Sequence, residues 1–64
     1  MNVILPNGDT QELAMGPLTV VELLQHLGIS LGEVLVSKNK CIIPEDSILE
    51  NGDNVRIMQV VFGG

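Results

Sequence analysis

Hydrophobic positions fall into short clusters separated by breaks rich in glycine, proline and asparagine, and only one cluster repeats at helical spacing. Residues 1–5 are apolar apart from Asn2 and close at Pro6, Asn7, Gly8 and Asp9. There proline supplies a fixed φ and the residues after it tolerate a positive one. The pattern predicts strand, turn, strand. The second strand, residues 10–15, alternates only loosely and stops at Gly16 and Pro17, which gives it the character of an edge strand.

Thr19, Val20, Val21 and Glu22 have the spacing of a capping box, in which the Thr hydroxyl accepts from an orphan N–H and the Glu carboxylate reaches back to the cap. A helix is expected to begin at Val20. Val20, Leu23, Leu24 and Leu27 make one apolar stripe, while Glu22, Gln25 and His26 share the other face. Gly28 stands where a left-handed cap is wanted and Ile29 can fold back on the last turn, so the helix is about eight residues long.

Residues 30–33 lead to a second β region at 34–37, which turns near Asn39 and returns through Cys41, Ile42 and Ile43 to Pro44. Residues 45–50 form a polar crossover with Ile48 and Leu49 as its anchors, and Asn51, Gly52, Asp53 and Asn54 form a turn into the longest strand, residues 55–61. The order ββαββ predicts an α+β fold, one mixed sheet of four to five strands around a single helix. A right-handed crossover then sets the last strand parallel to the first, in the centre of the sheet.

Alternation along that last strand places Val55, Ile57 and Val61 on one face and Arg56, Met58 and Val60 on the other, with Gln59 falling among the first set. If the first face packs on the helix, Met58 and Val60 look outward, and Ile4 joins them when Val3 and Leu5 point inward. Exposed apolar residues at a sheet centre read as a docking patch. The alternative is that they complete a thin sheet, and a one-residue register slip would exchange the two faces.

Composition narrows the class. A chain of 64 residues is one domain, and such a chain buries only about 60% of its unfolded surface. Cys41 alone forms no intrachain disulfide, and with His26 it makes no structural zinc set, so the core must be aliphatic. A lone cysteine suits a reducing compartment, and neither a signal peptide nor a membrane-length apolar run is evident, so a soluble cytoplasmic protein is expected. The net charge of −5 disfavours nucleic acid and anionic membranes as partners; taken as a whole it favours a basic partner surface.

Candidate chemistry within the chain is sparse. His26 sits on the polar helix face without a carboxylate to orient it and reads as a solvated side chain. Cys41, in the apolar run Cys41, Ile42, Ile43, reads as a small buried or half-buried strand residue. Glu45, Asp46, Glu50 and Asp53 lack calcium-loop spacing and read as a solvated acidic rim. No phosphate loop, nucleotide fingerprint or nucleophile elbow is present.

What remains is the ending, Phe62, Gly63 and Gly64. With no side chain behind it, the terminal carboxylate can enter a narrow channel, and glycine lets the backbone extend and thread. The plain alternative is a frayed terminus. Phe62, the sole aromatic, lies past the last strand with little core to enter and reads as a partner contact.

The run from Thr19 to Leu24, Asn39, Ile42 to Pro44, Asn51 to Val55 and the closing Gln59, Val60, Val61, Phe62, Gly63, Gly64 resembles the ThiS/MoaD sulfur carriers, members of the β-grasp, ubiquitin-like family, with the thiamin-biosynthesis ThiS branch the nearer. The resemblance covers essentially the whole chain, although Phe62 stands where a small residue is expected. It implies a β-grasp domain over residues 1–61 and a flexible tail at 62–64. It further implies that an adenylyltransferase related to ubiquitin-activating enzymes (ThiF-like) uses ATP and Mg²⁺ to adenylate the carboxylate of Gly64. Sulfur drawn indirectly from a cysteine desulfurase then leaves a thiocarboxylate there, which serves a thiazole synthase (ThiG-like). Gly63 keeps the tail slim; Phe62, Val60, Met58 and Ile4 are the partner-binding candidates. The chain would be a co-substrate rather than an enzyme, holding no cofactor or metal of its own. Alternatives are a carrier for molybdopterin or amino-acid sulfur delivery, and a non-catalytic ubiquitin-like binding module or modifier.

Overall fold

The capping box at Thr19 forms as its spacing requires: the Thr19 hydroxyl accepts from the Glu22 N–H at 3.1 Å and Glu22 Oε1 accepts from the Thr19 N–H at 2.8 Å. Helix α1 (Val20–Leu27) follows and ends at Gly28, whose φ of 73° is left-handed. The N–H of Ile29 then donates back to the Leu24 carbonyl at 2.9 Å, closing the last turn. Val20, Leu23 and Leu24 are buried, while Glu22, Gln25 and His26 are exposed. This is a computed structural model, and it describes residues 1–60. Residues 61–64 lie outside the described residues, as does the expected boundary between a domain of 1–61 and a tail of 62–64.

The main sheet has five strands: β1 (Asn2–Ile4), β2 (Thr10–Glu12), β4 (Val34–Lys38), β5 (Cys41–Ile43) and β7 (Asn54–Gln59), in the order β2-β1-β7-β4-β5. The last strand is central, parallel to β1 and antiparallel to β4, as the crossover rule requires. Strand β2 lies at one edge and is shorter than expected, ending at Glu12. A 3₁₀ turn at Leu31–Glu33 leads into β4.

One pairing has no counterpart in the sequence-based expectation. β3 (Leu18–Thr19) and β6 (Ile48–Leu49) form a small antiparallel ladder outside the main sheet. Adjacent strand residues face opposite ways, so Leu49 is fully buried while Ile48 is 49% exposed. Of the two expected anchors in the crossover, only Leu49 anchors.

The core lies between the sheet and α1. Val3, Val36, Val55 and Ile57 from the sheet meet Leu18, Val20, Leu23, Leu24 and Leu49, with the Met1 side chain also buried. Each fully buried aliphatic side chain of this kind contributes about 1.5–3 kcal/mol. The Met1 ammonium is held by the Leu13 carbonyl at 2.9 Å and Asn51 Oδ1 at 3.2 Å.

Cys41 departs from expectation. It is exposed, not buried or half-buried, because β5 is a three-residue edge strand bonded only to β4. Of the apolar triplet only Ile43 packs against the core, while Cys41 and Ile42, nearer the Asn39 and Lys40 turn, stay exposed. No helix among the described residues is long and apolar enough to cross a membrane.

Candidate functional site

Strand register decides which side chains share the sheet face turned away from α1. Ile4 is opposite Arg56, Arg56 is opposite Ser37, and Ser37 is opposite Ile42. These four residues therefore make one row across β1, β7, β4 and β5. In the adjacent row Leu35 is opposite Met58. Val55 and Ile57, between these positions along β7, turn inward and are buried.

The face is concave at one end. Ile4, Ile42 and Met58 line an open groove of about 700 Å³ together with Ser37, Arg56 and Lys40. Ile42 is 64% exposed and Leu35 beside the groove is 46% exposed, so large aliphatic surface meets solvent here. Ser37 is buried among its neighbours, and among the described residues no buried side-chain polar atom lacks a hydrogen-bond partner.

Of the expected site residues, Ile4 and Met58 are half-buried and come together in this groove. Val60 is half-buried just beyond β7, where its N–H donates to the Glu33 carbonyl at 2.9 Å. That bond continues the β4–β7 ladder one step past Gln59, which is opposite Val34. Phe62, Gly63 and Gly64 lie outside the described residues. The expectation missed Leu35, Ser37, Lys40 and Ile42 on the same face. The period-2 alternation of Leu35 with Ser37, set opposite Met58 and Arg56, is the signal that would have found two of them.

The acidic rim is only partly a rim. Glu45, Asp46 and Glu50 are exposed, but Asp53 is half-buried and its Oδ2 accepts from the Glu50 N–H at 2.8 Å, fastening the turn before β7. Asp53 also lies 3.9 Å from the Lys38 ammonium, which donates to the Ile48 carbonyl. His26 is exposed on α1. Among the described residues, no group of three or more His, Cys, Asp or Glu side chains could hold a metal ion.

The chain is similar to known proteins in sequence and in fold. The model of the ThiS family matches residues 4–64. The crystal structure of the thiamine biosynthesis protein (ThiS) from Geobacter metallireducens is similar in fold, with a TM-score of 0.69 at 24% identity over 100% of both chains. The NMR solution structure of a thiamine biosynthesis protein from Geobacter metallireducens gives a TM-score of 0.63 at 25% identity, covering 100% of this chain and 88% of that one. A mixed sheet wrapped on one helix is thus a β-grasp fold here. No curated protein sequence matches the chain.

Proposed function

Because the chain belongs to the ThiS family, whose model extends through Gly64, we propose that it is a sulfur carrier protein for thiamin thiazole biosynthesis. The observation that carries this proposal is the family match over residues 4–64, which takes in the Gly63 and Gly64 ending as well as the sheet. The scaffold supports it: β7 is the central strand, and Val60 is fastened to the 3₁₀ turn immediately before the last four residues.

A carboxylate is a poor electrophile. A partner adenylyltransferase, ThiF-like, would supply ATP and Mg²⁺: a Gly64 carboxylate oxygen attacks the α-phosphorus and pyrophosphate leaves. The terminal sulfur of a persulfide, drawn indirectly from a cysteine desulfurase, then attacks the acyl carbon and AMP leaves. Reduction of the resulting acyl disulfide by a thiol releases the thiocarboxylate, a soft nucleophile suited to the pocket of a ThiG-like thiazole synthase. Gly63 keeps the approach narrow. The chain acts as co-substrate in the cytoplasm, and Ile4, Met58, Val60 and Phe62 form the contact surface that presents the ending to these enzymes.

Intact-mass measurement after incubation with ATP, Mg²⁺, a persulfide donor and the adenylyltransferase of the same organism tests the proposal. An exchange of one oxygen for sulfur, absent when Gly64 is deleted, is the expected result. An unchanged mass with an enzyme shown to be active overturns it.

A further inference from the structure

The chain is acidic overall, yet the groove on the outer sheet face is cationic. Arg56 and Lys40, two of the three basic residues, line it, and none of the eight acidic residues does. The ion pairs among the described residues are Met1 with Glu12 and Lys38 with Asp53, so neither groove cation is neutralised by one. Glu12 shares this face from β2, opposite Asn2, but stands outside the groove beside the Met1 ammonium.

The two cations are placed for a shared task. Arg56 lies in the middle of the face, between Ile4 and Ser37, while Lys40 stands at the β4–β5 turn, where its φ of 73° is left-handed. Ile4, Ile42 and Met58 supply the apolar lining between and beside them. A guanidinium on a central strand offers a planar fork of donors suited to a carboxylate, whereas an ammonium at the rim adds charge without directional demand.

We propose that this groove is a specificity contact for a partner protein that presents a carboxylate side chain, Asp or Glu, beside an aliphatic one. The carboxylate meets Arg56, with Lys40 adding attraction, and the aliphatic side chain fills the space lined by Ile4, Ile42 and Met58. The inference rests on the carrier function proposed above and adds the chemistry of the partner's contact. Net charge alone pointed to a basic partner surface; the distribution of charge reverses that sign at the groove. Acidic residues elsewhere on the carrier then disfavour an approach in which the partner's acidic patch meets any other face, so one docking orientation is selected.

Binding of the full chain to the adenylyltransferase of the same organism, measured by titration at several salt concentrations, tests this. Arg56→Glu is expected to weaken binding by about tenfold or more, and Arg56→Glu with Lys40→Glu to weaken it further and flatten the salt dependence. Asp46→Lys, on the crossover away from the groove, should not weaken it. Replacing single Asp or Glu residues on the enzyme surface by Lys should find one position that restores binding to Arg56→Glu. Circular dichroism checks that the variants fold.

Binding that the groove substitutions leave at the wild-type strength, or a loss in Arg56→Glu that no Asp or Glu replacement on the enzyme restores, overturns the proposal. So does saturable binding of AMP or inorganic phosphate in the groove, followed by amide chemical shifts, because it would assign the cations to a small anion. The carrier function is read separately: oxygen-to-sulfur exchange at Gly64 in the wild type holds it in place even if the groove variants bind normally.

Discussion

The N–H of Val60 and the carbonyl of Glu33 meet at 2.9 Å, so the residue just past the central strand is fastened to the 3₁₀ turn that precedes β4. Residues 61–64, with the two glycines, follow it in the sequence. Val60→Pro removes this donor, whereas Val60→Thr keeps it with nearly the same shape. We expect Val60→Pro to cost about 1 kcal/mol of stability, the worth of one ordinary hydrogen bond, and to slow adenylation more than that loss explains. Val60→Thr should adenylate at close to the wild-type rate. Denaturant unfolding alongside pyrophosphate release measures both, and equal adenylation rates for the two variants would show that the fastening has no part in presenting the ending.

Gly16 and Gly28 both have positive φ, at 132° and 73°, but only one of them is also crowded. A Cβ at Gly28 would meet nothing within 4 Å, so Gly28→Ala carries the backbone penalty alone, about 1–2 kcal/mol. At Gly16 the same atom would stand 3.1 Å from the Asn51 backbone nitrogen, and backbone cannot swing aside as a side chain can. Gly16→Ala should therefore lower the urea midpoint more than Gly28→Ala. The reverse order would mean that the loop before β3 yields more easily than this contact implies.

Leu49 and Ile48 are chain neighbours with opposite fates, one fully buried and the other 49% exposed. Leu49→Ala should cost about 2–5 kcal/mol, enough to unfold much of a domain this small. Ile48→Ala should fall within about 0.5 kcal/mol of wild type, as substitutions at exposed positions do. Thermal unfolding of the pair decides whether β6 buries the residue that its pairing with β3 dictates.

The contrast within that pair shows what a sequence can disclose. The capping box and the Gly28 cap were legible because their partners lie within one helical turn. The central place of β7 was legible because crossover handedness leaves few choices, and the outward turn of Ile4 and Met58 followed from strand period. Ile48 was misjudged because its exposure depends on pairing with Thr19, distant in sequence. Cys41 was misjudged because an apolar triplet reads alike at a sheet edge and at its centre. The cationic groove escaped notice because net charge averages over all faces, whereas Arg56 and Lys40 share one groove only after β4 and β5 join β7.

The insertion of β7 between β1 and β4 also orders events during folding. Before β7 docks, the rest of the chain can hold two hairpins, β1 with β2 and β4 with β5, each with an open inner edge. Joining them waits for the final strand and for pairing between distant segments, a slow class of folding step, and open edges meanwhile invite pairing with other chains. Closing the sheet and bringing Arg56 beside Ile42 and Lys40 are therefore one event, and before β7 docks no continuous outer face exists for a partner to meet.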